Sequence, residues 1–176
     1  MTTRLASIGL LAVTLWFADC GGANDGLVLG PCSADKPFCQ RFKGRSWSDM
    51  TDELTFDAAK EYCASIGGRL PTISELRTLV VDCDTTKAGG TCGITDTCNS
   101  MDTCWDDHAC ANCGDGGSSV FHSEDHFWSS TPFSHENATA PPWAEEPGSV
   151  WAIAFRYNDI SGRSPSYPAR AYCLKP

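Results

Sequence analysis

Residues 55–80, TFDAAKEYCASIGGRLPTISELRTLV, carry the pattern that decides the fold. Thr55 is a suitable N-cap, and apolar side chains then recur at intervals of three and four, which predicts an amphipathic helix that ends at the glycine pair 67–68. Thr72 and Glu75 form a capping-box pattern, which predicts a second helix soon after the first. The residues assigned to the buried faces of the two helices are Phe56, Ala59, Cys63, Ile66, Ile73, Leu76, Leu79 and Val80.

Strands are predicted only in the last third of the chain. Residues 150–157 alternate large apolar side chains with small ones, which is the period of a β-strand, and residues 127–130 and 169–174 are shorter strand candidates. Asn158 and Asp159 provide turn chemistry. Two helices, a long loop and then strands predict an α+β fold. The large side chains of the long strand are Trp151, Ile153, Phe155 and Tyr157, and Tyr172 and Cys173 are expected on opposite faces of the last one.

The segment between the second helix and the first strand, residues 83–126, follows neither period. It is rich in Gly, Asp, Thr and Asn, and four of its cysteines fall at intervals of six. This composition predicts a long loop insertion that disulfides hold together and that contributes nothing to the core. The four evenly spaced cysteines are Cys92, Cys98, Cys104 and Cys110.

The start of the chain predicts export. Arg4 is followed by 14 residues without a charged side chain, fewer than the roughly 20 that cross a bilayer as a helix, so residues 1–19 are predicted to be a signal peptide. The stretch 17–20, FADC, is similar to a lipoprotein cleavage box with Cys20 as the acylated residue, and cleavage after Ala23 is the alternative. The expected location is the outer membrane as a lipoprotein, the periplasm or the cell exterior, with membrane contact only through a lipid anchor.

The cysteine count supports export. The chain has 11 cysteines, and ten remain, enough for complete pairing, when Cys20 is removed or acylated. A dense, even set in an exported chain indicates a disulfide framework. Residues 20–45 are predicted to be a tether with a small disulfide loop, and residues 46–176 one domain. The ten cysteines are Cys32, Cys39, Cys63, Cys83, Cys92, Cys98, Cys104, Cys110, Cys113 and Cys173.

Charge argues against nucleic acid as a partner. The net charge is -9, and no cluster of basic residues is present that would neutralise a row of phosphates. Arg41, Lys43 and Arg45 are the only closely spaced basic residues, and a solvated surface segment is the favoured interpretation of them.

Five blocks of sequence, taken in order, resemble the Lcl C-terminal domain family. That family is similar in fold to C-type lectins and to formylglycine-generating enzymes, so the resemblance implies two helices beside a small antiparallel sheet and a disulfide between Cys63 and Cys173. The insertion resembles cysteine-rich insertions in some exported bacterial members. The blocks are TFDAAKEYC at 55–63, GRLPTISEL at 68–76, FWSST at 127–131, VWAIAF at 150–155 and RAYC at 170–173.

The resemblance implies the fold more than the function, because this fold hosts sugar binders, protein binders, ice binders and at least one class of oxidase. All ten remaining cysteines can be paired and no catalytic motif stands out, which argues against an enzyme. We expect a non-catalytic protein that binds a glycan or an envelope protein through the loops between residues 83 and 143. An oxidase-like enzyme and a purely structural envelope protein are the alternatives. Trp105, Trp143 and Tyr167 lie in loop-like stretches suited to stacking on a sugar, whereas Trp128 and Trp151 lie in strands and are expected in the core.

Three patterns of residues could bind a metal ion. We expect no cofactor, and calcium is the alternative. Glu146, Asn158 and Asp159 resemble a degenerate calcium motif of sugar-binding C-type lectins, although Gly148 replaces an amide ligand and an ordinary turn is favoured. A transition-metal pair would need a helix to bring two imidazoles onto one face, and no helix is evident there. For a zinc site, disulfides are the simpler interpretation of the cysteines. Their residues are His122 with His126, and His108 with Cys104, Cys110 and Cys113.

Overall fold

The computed structural model of the protein describes residues 26–111, 113, 119–121, 125–135 and 147–176. The predicted signal peptide and the candidate acylation site Cys20 lie outside these residues, as do His122, Trp143 and Glu146.

Both predicted helices are present. Helix α1 spans Phe56–Ser65, with Thr55 at the N-cap position, and the backbone N–H of Gly68 closes it on the carbonyl of Cys63 at 2.8 Å. Gly67 has a φ of +77°, a left-handed conformation that favours glycine at a helix end. Helix α2 spans Ile73–Arg77, and the capping box of its N-cap Thr72 is complete.

The second helix is shorter than its apolar stripe. Leu79 and Val80 follow the end of α2 in a turn with i to i+3 backbone hydrogen bonds, and both are buried, so the apolar stripe extends into the core beyond the α-helix. Two one-turn helices that the sequence did not predict lie inside the insertion, α3 (Met101–Cys104) and α4 (Asp107–Cys110). The backbone N–H of Ala109 donates a hydrogen bond to the carboxylate of Asp106, which caps α4.

The strands form two small antiparallel sheets. A two-stranded sheet pairs β1 (Gln40–Phe42) with β2 (Arg45–Trp47) through a tight turn. A three-stranded sheet has the order β3-β4-β5, with β3 at His126–Pro132, β4 at Val150–Ala154 and β5 at Asp159–Arg163. The protein is therefore a mixed α+β structure with small antiparallel sheets.

Two of the strand predictions need correction. Strand β4 ends at Ala154, so Tyr157 lies in the turn before β5, where Asn158 adopts a φ of 49°. The left-handed residue reverses the chain early, and β5, which the sequence did not reveal, follows at once. The run 169–174 is not a continuous strand, because its residues make isolated bridges to several partners. Those partners are Leu54, Phe127, Trp47 and Arg69.

The three-stranded sheet separates two apolar clusters. Trp151 and Ile153 of β4 belong to the larger cluster, which also contains α2, whereas Val150 and Ala152 belong to the smaller cluster beside α1. All five β4 residues are buried, so the alternation of large and small residues reflects two packed faces and not one solvated face. Tyr172 lies in the larger cluster and Cys173 in the smaller, as their predicted opposite orientation requires.

Five disulfides join the ten cysteines. The bridge between Cys63 and Cys173 that the resemblance implied is present, and Cys32 and Cys39 close the small loop of the tether. Five bridges in one chain are typical of proteins that fold in an oxidising compartment. Among the described residues, no helix is long and apolar enough to cross a membrane. The remaining pairs lie within the insertion and are Cys83–Cys113, Cys92–Cys110 and Cys98–Cys104.

The expectation that the insertion stays outside the core is wrong. The insertion lies against α2, where Ser74 and Asp96 exchange two hydrogen bonds, and Ile94 is fully buried in the larger cluster. The buried guanidinium of Arg77, at the end of α2, donates hydrogen bonds to carbonyls on the insertion. The insertion residues that join this cluster are Cys83, Cys92, Ile94, Cys104, Cys110 and Val120.

Candidate functional site

A concave site lies where the insertion meets the hairpin of β4 and β5. Its cavity has a volume of about 470 Å³, within the range of small-ligand pockets. Phe133 and Trp151 are at its apolar side. We call this cavity the insertion pocket. The pocket is also lined by Trp105 and Asp107 from the insertion, and by Tyr157, Asp159, Ser161 and Arg163 from the hairpin.

Trp105 connects the two walls of the insertion pocket. It follows α3 directly, next to Cys104, whose bridge to Cys98 fixes that turn. Its indole Nε1 donates a hydrogen bond to the carbonyl of Ile160 in β5 at 2.8 Å. Because the polar edge of the ring is held by the sheet, the ring has a fixed orientation in the wall of the pocket.

The apolar side of the pocket depends on a close approach at Gly162. A Cβ atom placed there would lie 2.4 Å from the ring of Phe133, so only glycine allows this ring to pack against β5. The Phe133 ring also meets Trp151 edge to face, with centroids 4.8 Å apart. The two rings form a rigid apolar surface because both are buried.

The pocket carries both signs of charge. Asp159 is partly buried, and this burial raises the pKa of its carboxyl, as does the negative charge of Asp107. Arg163 and Ser161 act in the opposite direction on the same pKa. The pocket is therefore lined by two neighbouring carboxylates, a guanidinium and hydroxyl groups as well as by its aromatic residues.

Arg163 is held in place from behind the pocket. Its guanidinium lies 2.8 Å from Nε2 of His126 and 5.0 Å from the centroid of the Tyr167 ring. Because a guanidinium is only a donor, Nε2 of His126 accepts and the imidazole is neutral, with its proton on Nδ1. Burial, together with the charge of Arg163, lowers the pKa of His126 to about 4.

The structure brings together only some of the residues that the sequence singled out. Trp105 and Asp159 line the pocket, whereas Tyr167 lies behind Arg163 and packs on His126. Asn158 is fully buried, and its side-chain amide has no hydrogen-bond partner among the residues that the structure describes. Trp128 and Trp151 are buried as predicted, although Trp151 also reaches the pocket.

The metal hypotheses have different outcomes. The zinc hypothesis at His108 is contradicted, because the sulfurs of Cys104, Cys110 and Cys113 are all used in disulfides. Nε2 of His126 faces Arg163. In the described part of the chain, no group of three or more histidine, cysteine or acidic side chains is placed to hold a metal ion. Calcium binding at Asn158 and Asp159 stays a prediction, since Glu146 lies outside that part.

Sequence reasoning missed five polar or aromatic pocket residues: Asp107, Phe133, Tyr157, Ser161 and Arg163. Tyr157 followed the alternating period and was assigned to a strand, whereas it projects from the turn with 45% of its surface exposed. Asp107 did carry a signal, because an acidic residue directly after another aspartate is typical of a helix N-terminus. Ser161 and Arg163 belong to β5, which had no apolar pattern to reveal it.

Comparisons of this chain with protein-family models, with curated proteins and with solved structures found no match. The class of protein that the structure defines is a disulfide-rich α+β protein, with small antiparallel sheets and a pocket between its insertion and its main sheet.

Proposed function

We propose that this protein is an exported, non-catalytic binding protein and that its insertion pocket binds a glycan. Residues 46–176 would form a C-type-lectin-like domain of the Lcl C-terminal type, as the five sequence blocks suggest. The observation that carries the proposal is the composition of one cavity. It combines exposed and half-exposed aromatic rings with carboxylate, guanidinium and hydroxyl groups.

This combination suits a sugar chemically. The apolar face of a pyranose ring packs on aromatic side chains, as Tyr157 and Trp105 would allow, while its hydroxyls both donate and accept hydrogen bonds. Asp107 and Asp159 are acceptors, and Arg163 is a donor held in one orientation by His126. Disulfides and the bond from Trp105 to Ile160 fix the walls before binding, which reduces the entropy lost on association.

The cysteine pairing favours binding over the oxidase alternative. A thiol oxidase needs a cysteine that is available as a thiolate. Here all ten cysteines outside the region of Cys20 are joined in five bridges. A free-thiol assay on the native protein tests this, and we expect no thiol to titrate from the folded domain. One reactive thiol per chain would revive the oxidase hypothesis.

The glycan proposal is tested by point substitutions, because the insertion contributes to the core and its replacement by a linker would unfold the domain. Tyr157→Ala and Asp107→Asn remove an aromatic face and a carboxylate from the pocket. Tyr62→Ala is the matched control, since Tyr62 is 41% exposed but lies on α1, away from the pocket. A glycan array identifies the ligand, and titration calorimetry then compares the variants.

We expect each pocket variant to weaken binding by about tenfold or more, the loss that removal of one good contact of about 1.4 kcal/mol produces. The Tyr62→Ala variant should bind like the native protein. The assignment fails if Tyr157→Ala and Asp107→Asn leave affinity unchanged. Capture of an envelope protein with no glycan bound would refute the glycan class while keeping the protein a binder.

Export is the second part of the proposal and has its own test. The uncharged run after Arg4 and the five disulfides support it. Intact-mass analysis of the native protein is expected to show a chain that begins at Cys20 with an acyl group, or one that begins after Ala23. The first mass would make it a lipoprotein, and the second a freely secreted protein. A native chain that still begins at Met1 would disprove export.

A further inference from the structure

The N-terminal edge of the molecule exposes apolar and basic side chains side by side. Val28 and Leu29 are 57% and 55% exposed, and Leu27 is also exposed. This short segment is not loose, because Val28 and Arg41 exchange two backbone hydrogen bonds of 2.9 Å. The pairing adds the segment to the outer side of β1. It places Val28 and Arg41 on one face of the added strand and Leu27 and Leu29 on the other, so both sets border its free edge. We call the exposed set Leu27, Val28, Leu29, Arg41 and Lys43 the N-terminal edge.

The charge of this region is opposite to that of the rest of the protein. Residues 26–48 contain four basic residues and one acidic residue, a net charge of +3, which leaves -12 for the remainder of the chain. Lys43 is lifted out at the tip of the β1–β2 hairpin, where both Lys43 and Gly44 have positive φ values. Positive charge is therefore concentrated in the N-terminal segment of an acidic chain.

The two cations of the edge are not neutralised within the described part of the chain. Neither Arg41 nor Lys43 has an ion-pair partner there, and Lys43 only approaches the Phe42 ring, at 5.3 Å. Other basic side chains are paired, Arg45 with Glu75 and Lys60 with Asp57. The charges of Arg41 and Lys43 are thus available to an external anion.

We propose that the N-terminal edge docks on a phospholipid surface that carries anionic headgroups. Aliphatic side chains that enter the headgroup region, flanked by cations that meet the phosphates, are the chemistry of peripheral membrane attachment. The acidic remainder of the protein does not prevent this, because charges more than about 8 Å from the membrane are largely screened at physiological ionic strength. Leu27 is seven residues after Cys20, so the edge would face the bilayer in an acylated chain and add to its attachment.

A soluble anionic polymer is the rival partner, and the aliphatic residues argue against it. Electrostatic binding to such a polymer needs Arg41 and Lys43 but gains nothing from Leu27 and Leu29. A membrane uses both kinds of side chain. The N-terminal edge shares no residue with the insertion pocket, which lies between the insertion and β5. Membrane binding by the edge therefore does not require the pocket.

The test uses the exported chain, residues 24–176, secreted through a foreign signal peptide so that no acyl group contributes. Sedimentation with vesicles of phosphatidylcholine alone is compared with vesicles containing phosphatidylglycerol, and dextran sulfate is the soluble polyanion. The variants are Arg41→Ser with Lys43→Ser, and Leu27→Ser with Leu29→Ser. The control is Lys60→Ser with Lys87→Ser, which removes the same charge from paired surface lysines.

We expect binding to the anionic vesicles that salt weakens, with a loss of about fivefold for each basic side chain removed from the edge. The leucine variant should also bind less, and the Lys60 and Lys87 control should bind like the native chain. Circular dichroism and the mass of five intact disulfides establish that each variant is folded. Equal losses in the control, equal binding to neutral vesicles, or binding that Leu27 and Leu29 do not affect would overturn the proposal.

Discussion

Two titratable side chains, Glu75 and His126, have strongly lowered pKa values, and these make the stability of the fold depend on pH. Burial alone would raise the pKa of Glu75, but hydrogen bonds from Arg69 and from the Thr72 backbone, and the charges of Arg69 and Arg45, lower it to about 2. The pKa of His126 is lowered to about 4, first by burial and then by Arg163. Glu75 therefore contributes its full stabilisation above about pH 4.5 and loses it as the pH falls towards 2, whereas His126 opposes folding as soon as the unfolded imidazole begins to take up a proton.

His126 is predicted to make the protein lose stability in mild acid. Unfolded histidine binds a proton near pH 6.5, while folded His126 does so only near pH 4. The unfolded state holds more protons between these values, so the free energy of unfolding falls as the pH drops from 6.5 to 4. After allowance for solvent screening of this partly exposed side chain, the loss is roughly 1 to 2 kcal/mol.

Urea unfolding at pH 7, 5.5 and 4.5 measures this loss. His126→Gln keeps an acceptor for Arg163 but cannot be protonated, so its stability should fall less over the same range. The window of Glu75 lies lower, between the ordinary carboxyl pKa of 4.5 and about 2, and does not overlap the measurement at pH 5.5. Parallel decreases in the native protein and the variant would show that His126 is not the cause.

For single residues, the sequence was sufficient wherever the role of a side chain depends on residues close to it in the chain. The capping box of Thr72 and Glu75 is local, and it was found. Trp105 was found because a large aromatic residue in a polar loop is unusual. Arg163 could not be found, since its role comes from His126, a residue 37 positions away.

At the scale of elements, one cation, Arg77, joins α2 to the insertion through three hydrogen bonds. Arg77 is 3% exposed, and its Nε donates to the carbonyl of Thr86 at 2.8 Å. Its terminal nitrogens donate to the carbonyls of Ile94 and Lys87. These three acceptors belong to loop residues with no strand to pair them, so Arg77 supplies the hydrogen bonds that a sheet would otherwise provide.

Replacement of this cation is predicted to destabilise the whole domain. Arg77→Met preserves much of the side-chain volume but removes the donors to the buried carbonyls of Thr86 and Ile94, and we expect a loss of about 3 kcal/mol in the free energy of unfolding. The control Lys87→Met removes only a surface pair with Asp84 and should change stability by less than about 0.5 kcal/mol. Urea unfolding compares them. Similar stabilities for both variants would mean that the insertion does not need Arg77.

Elements with strong periodicity were predictable, and the insertion was not, for a physical reason. The spacing of apolar residues in α1 and β4 records which face is buried. Ile94 has no such neighbours, and its burial depends on which cysteines pair. Ten cysteines allow many pairings, so the path of the insertion over α2 could not be deduced from their number.

At the scale of the whole molecule, one disulfide closes the domain on itself. Cys63 lies on the buried face of α1, and Cys173 lies near the end of the chain, 110 residues later. The terminal run is otherwise held by isolated bridges, among them those between Leu54 and Ala169 and between Arg69 and Leu174. Backbone hydrogen bonds to Ser48, Thr51 and Leu54 and the burial of its side chains also hold this run, and the disulfide is its covalent link to α1.

Loss of the Cys63–Cys173 bridge is therefore predicted to be the most costly disulfide removal. In the chain-entropy description, a loop of about 100 residues contributes about 4.7 kcal/mol, and a loop as short as that between Cys98 and Cys104 about 2 kcal/mol. Since small domains are typically stable by only about 5 to 15 kcal/mol, Cys63→Ala with Cys173→Ala should bring the protein close to unfolding. Cys98→Ala with Cys104→Ala is the matched control and should remain folded. Urea unfolding gives the two losses, and peptide mapping without reduction verifies that only the intended bridge is missing. Equal losses, or a larger loss in the control, would mean that the terminal run is held by packing and not by its link to α1.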